Sequence, residues 1–429
     1  MPTRTIRVDY LTRVEGEGAL ELDIRDGAVA GVRLSIFEPP RFFEALLRGR
    51  DCAETPDITA RICGICPVAY QMSAVHAIED ALGIAVNGQL RALRRLLYCG
   101  EWIESHALHI VLLHAPDFLG FPDAIHMAEA HGEAVRRGLA LKQAGNALLR
   151  LLGGREIHPV NVRVGGFYRV PSRGELLGLV ATLTEAHEHA IALARWVATF
   201  RLPEFERDYE FVSLRHPDEY PFNEGRIVST LGLDIAVVNY ESAFQERQVA
   251  YSTALQSSLR ARGSYLVGPL ARFNINFDRL GSYVQALADE LGLRPGCRNP
   301  YHSIIVRAIE VVFACEEALR LIAAYDPPAT PAVAMTRRAG IGMGCTEAPR
   351  GILYHRYVLD EDGAIREARI VPPTSQNQAV IEDDLRAVAT RDLDLPEDSL
   401  RDHCEQAIRN YDPCISCATH FLRLKVDRR

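Results

Sequence analysis

Arg61-Ile-Cys-Gly-Ile-Cys-Pro67 stands near the start of this chain and Asp412-Pro-Cys-Ile-Ser-Cys-Ala-Thr-His420 near its end. Read together, they decide how the chain must fold. Each holds a Cys-x-x-Cys pair, Cys63/Cys66 and Cys414/Cys417, that can offer two soft sulfur donors to one ion. Four thiolates converge on one site only if the two ends of a 429-residue chain meet. Such a donor set suits zinc, an iron–sulfur cluster, or nickel and iron. Zinc ribbons usually space their pairs about 15 to 20 residues apart, and pairs at opposite ends of a long chain would staple a small module poorly. A thioredoxin-like redox site needs one pair in a strand–helix–strand context, which the residues around Cys63 do not offer.

Composition narrows the class. The chain is long enough to bury a sizeable core, as one large domain or two to three ordinary ones. A formal net charge of −8 gives no basic footprint, which argues against a nucleic-acid partner. The most apolar stretch, 304–325, is interrupted by Arg307, Glu310, Glu316, Glu317 and Arg320, so no transmembrane segment is expected. The opening residues, MPTRTIRVDY, lack an apolar stretch that could serve as a secretory signal. Ten cysteines are too sparse for a disulfide scaffold. The expected setting is therefore cytoplasmic and reducing, with the paired cysteines as metal or redox groups.

Between the motifs, periodicity predicts a predominantly helical α+β fold. Ile6, Val8 and Tyr10 alternate with polar positions. Leu20, Leu22 and Ile24 lead into Asp26-Gly27, and Ala30, Val32, Leu34 and Ile36 follow, which is the pattern of a hairpin with a tight Asp-Gly turn. From about residue 55 the period becomes helical. Residues 89–113, 127–152, 172–201 and 300–325 carry apolar residues three and four apart, the mark of long helices forming a central bundle. The third begins with Ser172-Arg-Gly-Glu175, a capping-box pattern. Residues 203–270 lose the period and carry strand-like patches (IVST, IAVVNY), so they read as a mixed α/β insertion. No linker is evident, and residues 1–420 read as one intertwined unit. Gly340-Ile-Gly-Met-Gly344 lacks the strand and helix that a nucleotide-binding loop requires, and reads as a permissive turn leading to Arg350.

The flanks of the two cysteine pairs closely resemble the paired signatures of the large, catalytic subunit of nickel–iron hydrogenases. The resemblance extends to Thr12-Arg-Val-Glu-Gly16, to the stretch IHPVNVRVGGFYR at 157–169 and to Glu347-Ala-Pro-Arg-Gly351, and so spans essentially the whole chain. Length and the Cys-Gly-Ile-Cys-Pro flank look most like the cytoplasmic NAD(P)-coupled class, including the sulfhydrogenase type. The resemblance implies the hydrogenase large-subunit fold and reversible heterolytic cleavage of H2. It makes Cys63 and Cys414 terminal nickel ligands. Cys66 and Cys417 would bridge nickel to an iron carrying carbon monoxide and cyanide.

The same resemblance assigns the surrounding residues. Cys414 would accept the first proton and Glu15 would carry it onward, which a buried carboxylate with a raised pKa could do near neutral pH. Without the resemblance, Glu15 would read as a surface residue at a strand end. Arg350 would hang over the open metal position with the carboxylates of Asp117 and Asp412 around it, since a buried guanidinium needs such partners. Thr374 would donate to a cyanide. Glu44, His420 and a main-chain carbonyl near Arg369 would hold a divalent ion, usually magnesium, for which oxygen ligands are suited. Many relatives place histidine where this chain has Tyr70; a tyrosine can donate through its hydroxyl, but from a different place. Cys52, Cys99, Cys297, Cys315, Cys345 and Cys404 match no ligand position and read as small buried apolar residues.

Partners follow from what is missing. No further cysteine cluster is left for an electron relay and no nucleotide loop is present, so electrons are expected to leave through an iron–sulfur small subunit and then diaphorase-type NAD(P)/flavin subunits. The family's maturation endopeptidase would cut after His420 once nickel-insertion chaperones have loaded the site, making 421–429 a removable extension. Two other readings stay open at this point: a metal-free relative of the quinone-site subunit of respiratory complex I, against which all four cysteines speak, and a zinc-stapled scaffold protein.

Overall fold

Asp26 and Gly27 both take positive φ (51° and 78°) and turn the chain between the strands Gly18–Arg25 and Ala28–Ile36, with Arg25 opposite Ala28. This is the two-residue geometry that right-twisted strands favour. The strand Arg4–Val8 pairs antiparallel on the other side of Gly18–Arg25, completing a three-stranded N-terminal sheet. In this computed structural model residues 4–38 and 41–419 are described.

The four predicted long helices are present and close into a ring. Gly88–Leu108 packs on Ala124–Gly153, that on Val180–Val197, that on Ser303–Ala323, and the last returns to Gly88–Leu108. Two of them differ from a simple periodic reading. The first runs on through π-helical turns at His109–His114 into the short helix Ala115–Leu119. The third is broken: Ser172 and Glu175 form the reciprocal capping box over Arg173–Leu177, and the helix restarts at Val180.

The 203–270 stretch carries strands at Val212–Arg215, Arg226–Ser229 and Asp234–Ile235 in one sheet and a second pair at Phe244–Gln248 and Leu255–Leu259. IVST overlaps the second strand, but IAVVNY is only briefly extended before it coils into the 3-10 turn Val237–Asn239 and the helix Tyr240–Ala243. Its apolar residues, among them Val212, Ile227, Tyr240 and Phe244, form a second core with Ile352, Tyr354 and Val371.

Gly340–Gly344 is a correction. It is the start of a strand, Gly340–Ala348, that pairs with Gly351–Leu359, which in turn pairs with Ile365–Val371. The glycines recur every second residue because that face lies flush on the Pro67–Leu82 helix: a Cβ at Gly342 would sit 2.0 Å from the Ala77 carbonyl oxygen and one at Gly344 2.4 Å from that of Ser73. Period-2 glycine has no hydrophobic signal, so the strand is silent in the sequence. The turn itself is Pro349-Arg350, the two-residue tip between Ala348 and Gly351. Gly342→Ala is therefore expected to destabilise the protein by about 1–3 kcal/mol or more, because neither backbone can yield to the added methyl. Thermal unfolding would show the loss, whereas the same change at Gly174, which has open space, should be nearly silent.

The sheet leads at Val371 into the helix Pro373–Arg391, then Glu397–Arg409, and the chain returns to its beginning. Cys414 forms a parallel bridge with Glu15, Ile415 N donates to Glu15 O at 2.9 Å, Arg409 Nε donates to Thr12 O at 2.9 Å, and Arg41 N donates to Thr419 O at 2.7 Å. The ends of the chain meet, as two distant Cys-x-x-Cys pairs require.

Candidate metal centre

The first cysteine pair spans a helix start. Cys63 is extended, Gly64 and Ile65 turn, and Cys66 caps the Pro67–Leu82 helix without using its side chain as the cap. Pro67 at the first helical position has no N–H to satisfy. The main-chain N–H groups of Ile65 and Cys66 point at Cys63 Sγ from 3.3 and 3.2 Å, which favours a thiolate there. The second pair lies in a tight segment ending in the 3-10 turn Ser416–Ala418. Arg41 ties the two loops together, donating to Ile62 O at 2.7 Å and also to Ser416 O.

Cys63, Cys66, Cys414 and Cys417 converge so that all four sulfurs lie within 4.8 Å of one another. Cys63 Sγ is 3.1 Å from Cys66 Sγ and 3.4 Å from Cys414 Sγ, and Cys414 Sγ is 2.8 Å from Cys417 Sγ. All are buried and none is in a disulfide. Of the remaining cysteines, Cys52, Cys99, Cys315, Cys345 and Cys404 are buried away from the cluster and Cys297 is half-buried.

The charges around the sulfurs fit a group that carries several thiolates. Arg350, 2% exposed, sits at the hairpin tip with Nε on the Asp412 carbonyl at 2.7 Å and Nη2 on the Asp412 carboxylate at 3.0 Å. Burial works against its charge, but Asp412 and the sulfurs of Cys414, Cys66 and Cys63 outweigh that and hold the guanidinium well above the usual arginine range. Asp412 itself takes a left-handed backbone (φ 50°), a strained choice for a non-glycine residue that turns its side chain and carbonyl to the same guanidinium. A second buried arginine, Arg307, is pulled down to about 10, first by burial; its nearest carboxylates, Asp412 and Glu310, are already claimed by Arg350 and Arg272. Arg350 is thus buried beside four sulfurs with Asp412 as its carboxylate partner, a placement that suits ionised sulfur ligands at the cluster.

Cys414 Sγ also lies 3.1 Å from Glu15 Oε2, the same oxygen that accepts from Ser416 N at 3.1 Å, and Ser416 Oγ donates to Glu15 Oε1. Among the described residues Glu15 is half-buried rather than enclosed, which corrects the expectation of a buried carboxylate and leaves it between the sulfur and the surface. Thr374, at the start of the Pro373–Arg391 helix, accepts from Cys414 N at 3.0 Å.

Asp117 is placed differently from expectation. Its carboxylate pairs with Arg13 and with Arg409 (2.9 Å), not with Arg350. The short helix Ala115–Leu119 faces the 12–14 segment, so its partners are Arg13, which also donates to Leu113 O, and Arg409, which ties the C-terminal helix to Thr12 O. Glu44 accepts from Ile370 N at 2.9 Å. That bond fixes the phase of the edge strand: Ile370 turns its N–H and therefore its carbonyl outward, while Arg369 faces back into the ladder opposite Arg356. The outward carbonyl near Glu44 is thus Ile370's, and the Arg369 side chain is spent on Glu241 and Glu246 at 3.1 Å each. His420 lies outside the described residues. Tyr70 turns its hydroxyl toward Cys417, and its ring stands 5.8 Å from that of His355, whose Nδ1 pairs with the Tyr357 hydroxyl at 2.8 Å.

Two parts of the centre have no motif. Arg272, fully buried, bonds Glu310 through Nε and Nη2 (2.8 Å each), Glu347 through Nη1 (2.9 Å), and the carbonyls of Ala348 and Pro349 (2.9 and 2.8 Å), so it ties the turn that carries Arg350 to the Ser303–Ala323 helix. Glu101, on the Gly88–Leu108 helix, reaches the main chain just beyond Cys66. In sequence both show only as charges on an otherwise apolar helical face, which signals a buried partner without naming it.

Comparison with known proteins agrees with the geometry. Residues 41–148 and 237–420 match the family described as nickel-dependent hydrogenase. The chain is 36% identical to the sulfhydrogenase 2 subunit alpha of Pyrococcus furiosus, covering 98% of this chain and all of that one. It is 27% identical to the NAD-reducing hydrogenase HoxS subunit beta of Cupriavidus necator, covering 98% and 95%. A crystal structure of an NAD+-reducing [NiFe]-hydrogenase in the H2-reduced state superposes with a TM-score of 0.88 at 29% identity, over 98% of this chain and 100% of that chain. The [NiFeSe]-hydrogenase of Desulfomicrobium baculatum, at 22% identity and a TM-score of 0.79, speaks to the fold alone. With four cysteines from both ends of the chain gathered under one buried arginine, this protein belongs to the nickel-dependent hydrogenase family.

Proposed function

We propose that this chain is the catalytic subunit of a nickel–iron hydrogenase that interconverts H2 with two protons and two electrons, in the cytoplasm, and is coupled to NAD(P). The observation that carries the reading is the convergence of four buried cysteine sulfurs between a guanidinium, Arg350, and a half-buried carboxylate, Glu15. When bound, a nickel–iron group with carbon monoxide and cyanide on iron supplies an open Lewis-acidic position that polarises dihydrogen. Cys63, Cys66, Cys414 and Cys417 would hold that group, the first of each pair as a nickel ligand and the second as a ligand to both metals. Arg350, fixed by Asp412 and carried on the turn that Arg272 helps to hold, would present a permanent positive charge to that group. Cys414 Sγ would accept a proton, and Glu15 Oε2, 3.1 Å away, would carry it onward. The Thr374 hydroxyl already accepts from Cys414 N, so its own proton is available to a cyanide on iron. Asp117 supports the site from further out, through Arg13 and Arg409.

Glu44, the Ile370 carbonyl and His420 would hold a divalent ion, for which oxygen ligands are suited. Electrons leave through the surface beside the first cysteine pair. Gly64 is exposed, with Ile157, Val160 and Tyr168 exposed on the neighbouring 157–169 stretch, an apolar face for an iron–sulfur small subunit, with diaphorase-type subunits beyond it. Nickel-insertion chaperones and an endopeptidase that cuts after His420 complete maturation. Among the described residues no helix is long and apolar enough to cross a membrane.

The test is elemental and infrared analysis of the purified complex. Nickel and iron in about equal amounts, with bands from bound carbon monoxide and cyanide, are expected. Zinc alone would make the chain a stapled scaffold, and no metal a non-catalytic relative. Intact mass of the same active sample should show a chain ending at His420; retention of 421–429 would remove the maturation step from the proposal.

A further inference from the structure

Each cysteine loop is docked by a carboxylate from another element. At the second loop, Glu15 accepts Ser416 N with its side chain and Ile415 N with its carbonyl. At the first, Glu101 Oε2 accepts Val68 N at 2.6 Å, and both of its oxygens accept Ala69 N, at 3.2 and 3.4 Å. The first turn of a helix leaves N–H groups without intrahelical partners, and a side chain at the cap residue usually satisfies one of them. The cap residue here is Cys66, whose sulfur is committed to the cluster, and Pro67 has no N–H to give. The two N–H groups that need an acceptor are therefore those of Val68 and Ala69, and both go to Glu101.

The two carboxylates differ in where they lead. Glu15 is half-exposed and touches Cys414 Sγ, as a proton carrier must. Glu101 is fully buried on the inner face of its helix, and the bonds that fix it are to main-chain N–H groups. We infer that Glu101 is a positioning residue that holds the first Cys-x-x-Cys loop, and with it Cys66 Sγ, in the metal-binding arrangement by capping the helix that Cys66 cannot cap itself. This rests on the nickel–iron reading only for its spectroscopic readout.

Glu101→Gln is the decisive variant. It keeps the length and one acceptor oxygen, but turns an NH2 group toward donors that already point at it. The wild-type complex is measured in parallel; absence of nickel or of carbon monoxide and cyanide bands there would overturn the hydrogenase reading itself, not this inference. Given a normal wild type, the expected result for Glu101→Gln is unchanged circular dichroism, shifted infrared bands, and nickel that is lost to a chelator roughly 10- to 100-fold more readily, the usual effect of removing a group that orients a metal ligand. Glu101→Leu, which removes both acceptors, should lose more nickel. Wild-type bands and wild-type nickel retention in Glu101→Gln would overturn the inference, whatever Glu101→Leu does.

Discussion

Cys414→Ser is expected to give a folded protein that holds little or no nickel and whose hydrogenase activity falls by on the order of 10⁴ or more, as when an essential catalytic group is removed. Serine replaces a soft, readily ionised donor with a hard hydroxyl that stays protonated, and nickel sites built on thiolates discriminate strongly against it. The change also removes the sulfur that faces Glu15 at 3.1 Å. The loop itself should survive, because its anchors are main-chain: Cys414 N on Thr374 and Ile415 N on Glu15 O remain. A matched control is Cys99→Ser, at a fully buried cysteine outside the cluster. It should cost stability by placing a hydroxyl in an apolar setting, yet leave nickel and turnover intact in the protein that folds. Nickel and activity retained in Cys414→Ser would refute the assignment of this cysteine to the metal.

What the sequence could and could not tell follows from how local each signal is. A Cys-x-x-Cys pair places two donors on one ion by spacing alone, so both halves of the site were legible, and their separation required the chain ends to meet. The four bundle helices were legible because apolar periodicity is also local. The Gly340–Ala348 strand was not, because its deciding contact is between backbones: the glycines mark where the Ala77 and Ser73 carbonyls come close, and a residue without a side chain leaves no pattern of polarity. The presence of Ile370 rather than Arg369 beside Glu44 has a similar origin. Which carbonyl faces outward depends on the phase of the ladder, which the pairing of His355 with Ile370 sets and no single strand records. Asp117 shows the same limit for charges. That it needs an arginine could be read, but choosing Arg13 and Arg409 over Arg350 required knowing where the N-terminal segment lies.

The half-exposed position of Glu15 gives the second large effect. Glu15→Gln preserves the shape of the side chain and an oxygen to accept Ser416 N, so the second cysteine loop should stay docked and the metals bound. What the amide cannot do is take a proton from Cys414 and release it. Positioned proton transfer is worth about 10² to 10⁴ in rate, and turnover in both directions should fall by that amount while nickel content and infrared bands remain those of the wild type. Glu15→Asp restores the acid but shortens the reach from 3.1 Å, so it should recover only part of the rate. The opposite pattern, lost nickel with normal turnover per nickel, would show that Glu15 only docks the loop. Separating these outcomes matters because Glu15 and Glu101 make the same kind of contact to the two loops. The difference assigned to them rests on Glu15 alone facing both a ligand sulfur and the surface. A rate effect confined to Glu15 and a metal-retention effect confined to Glu101 would establish that division, and equal effects at both would dissolve it.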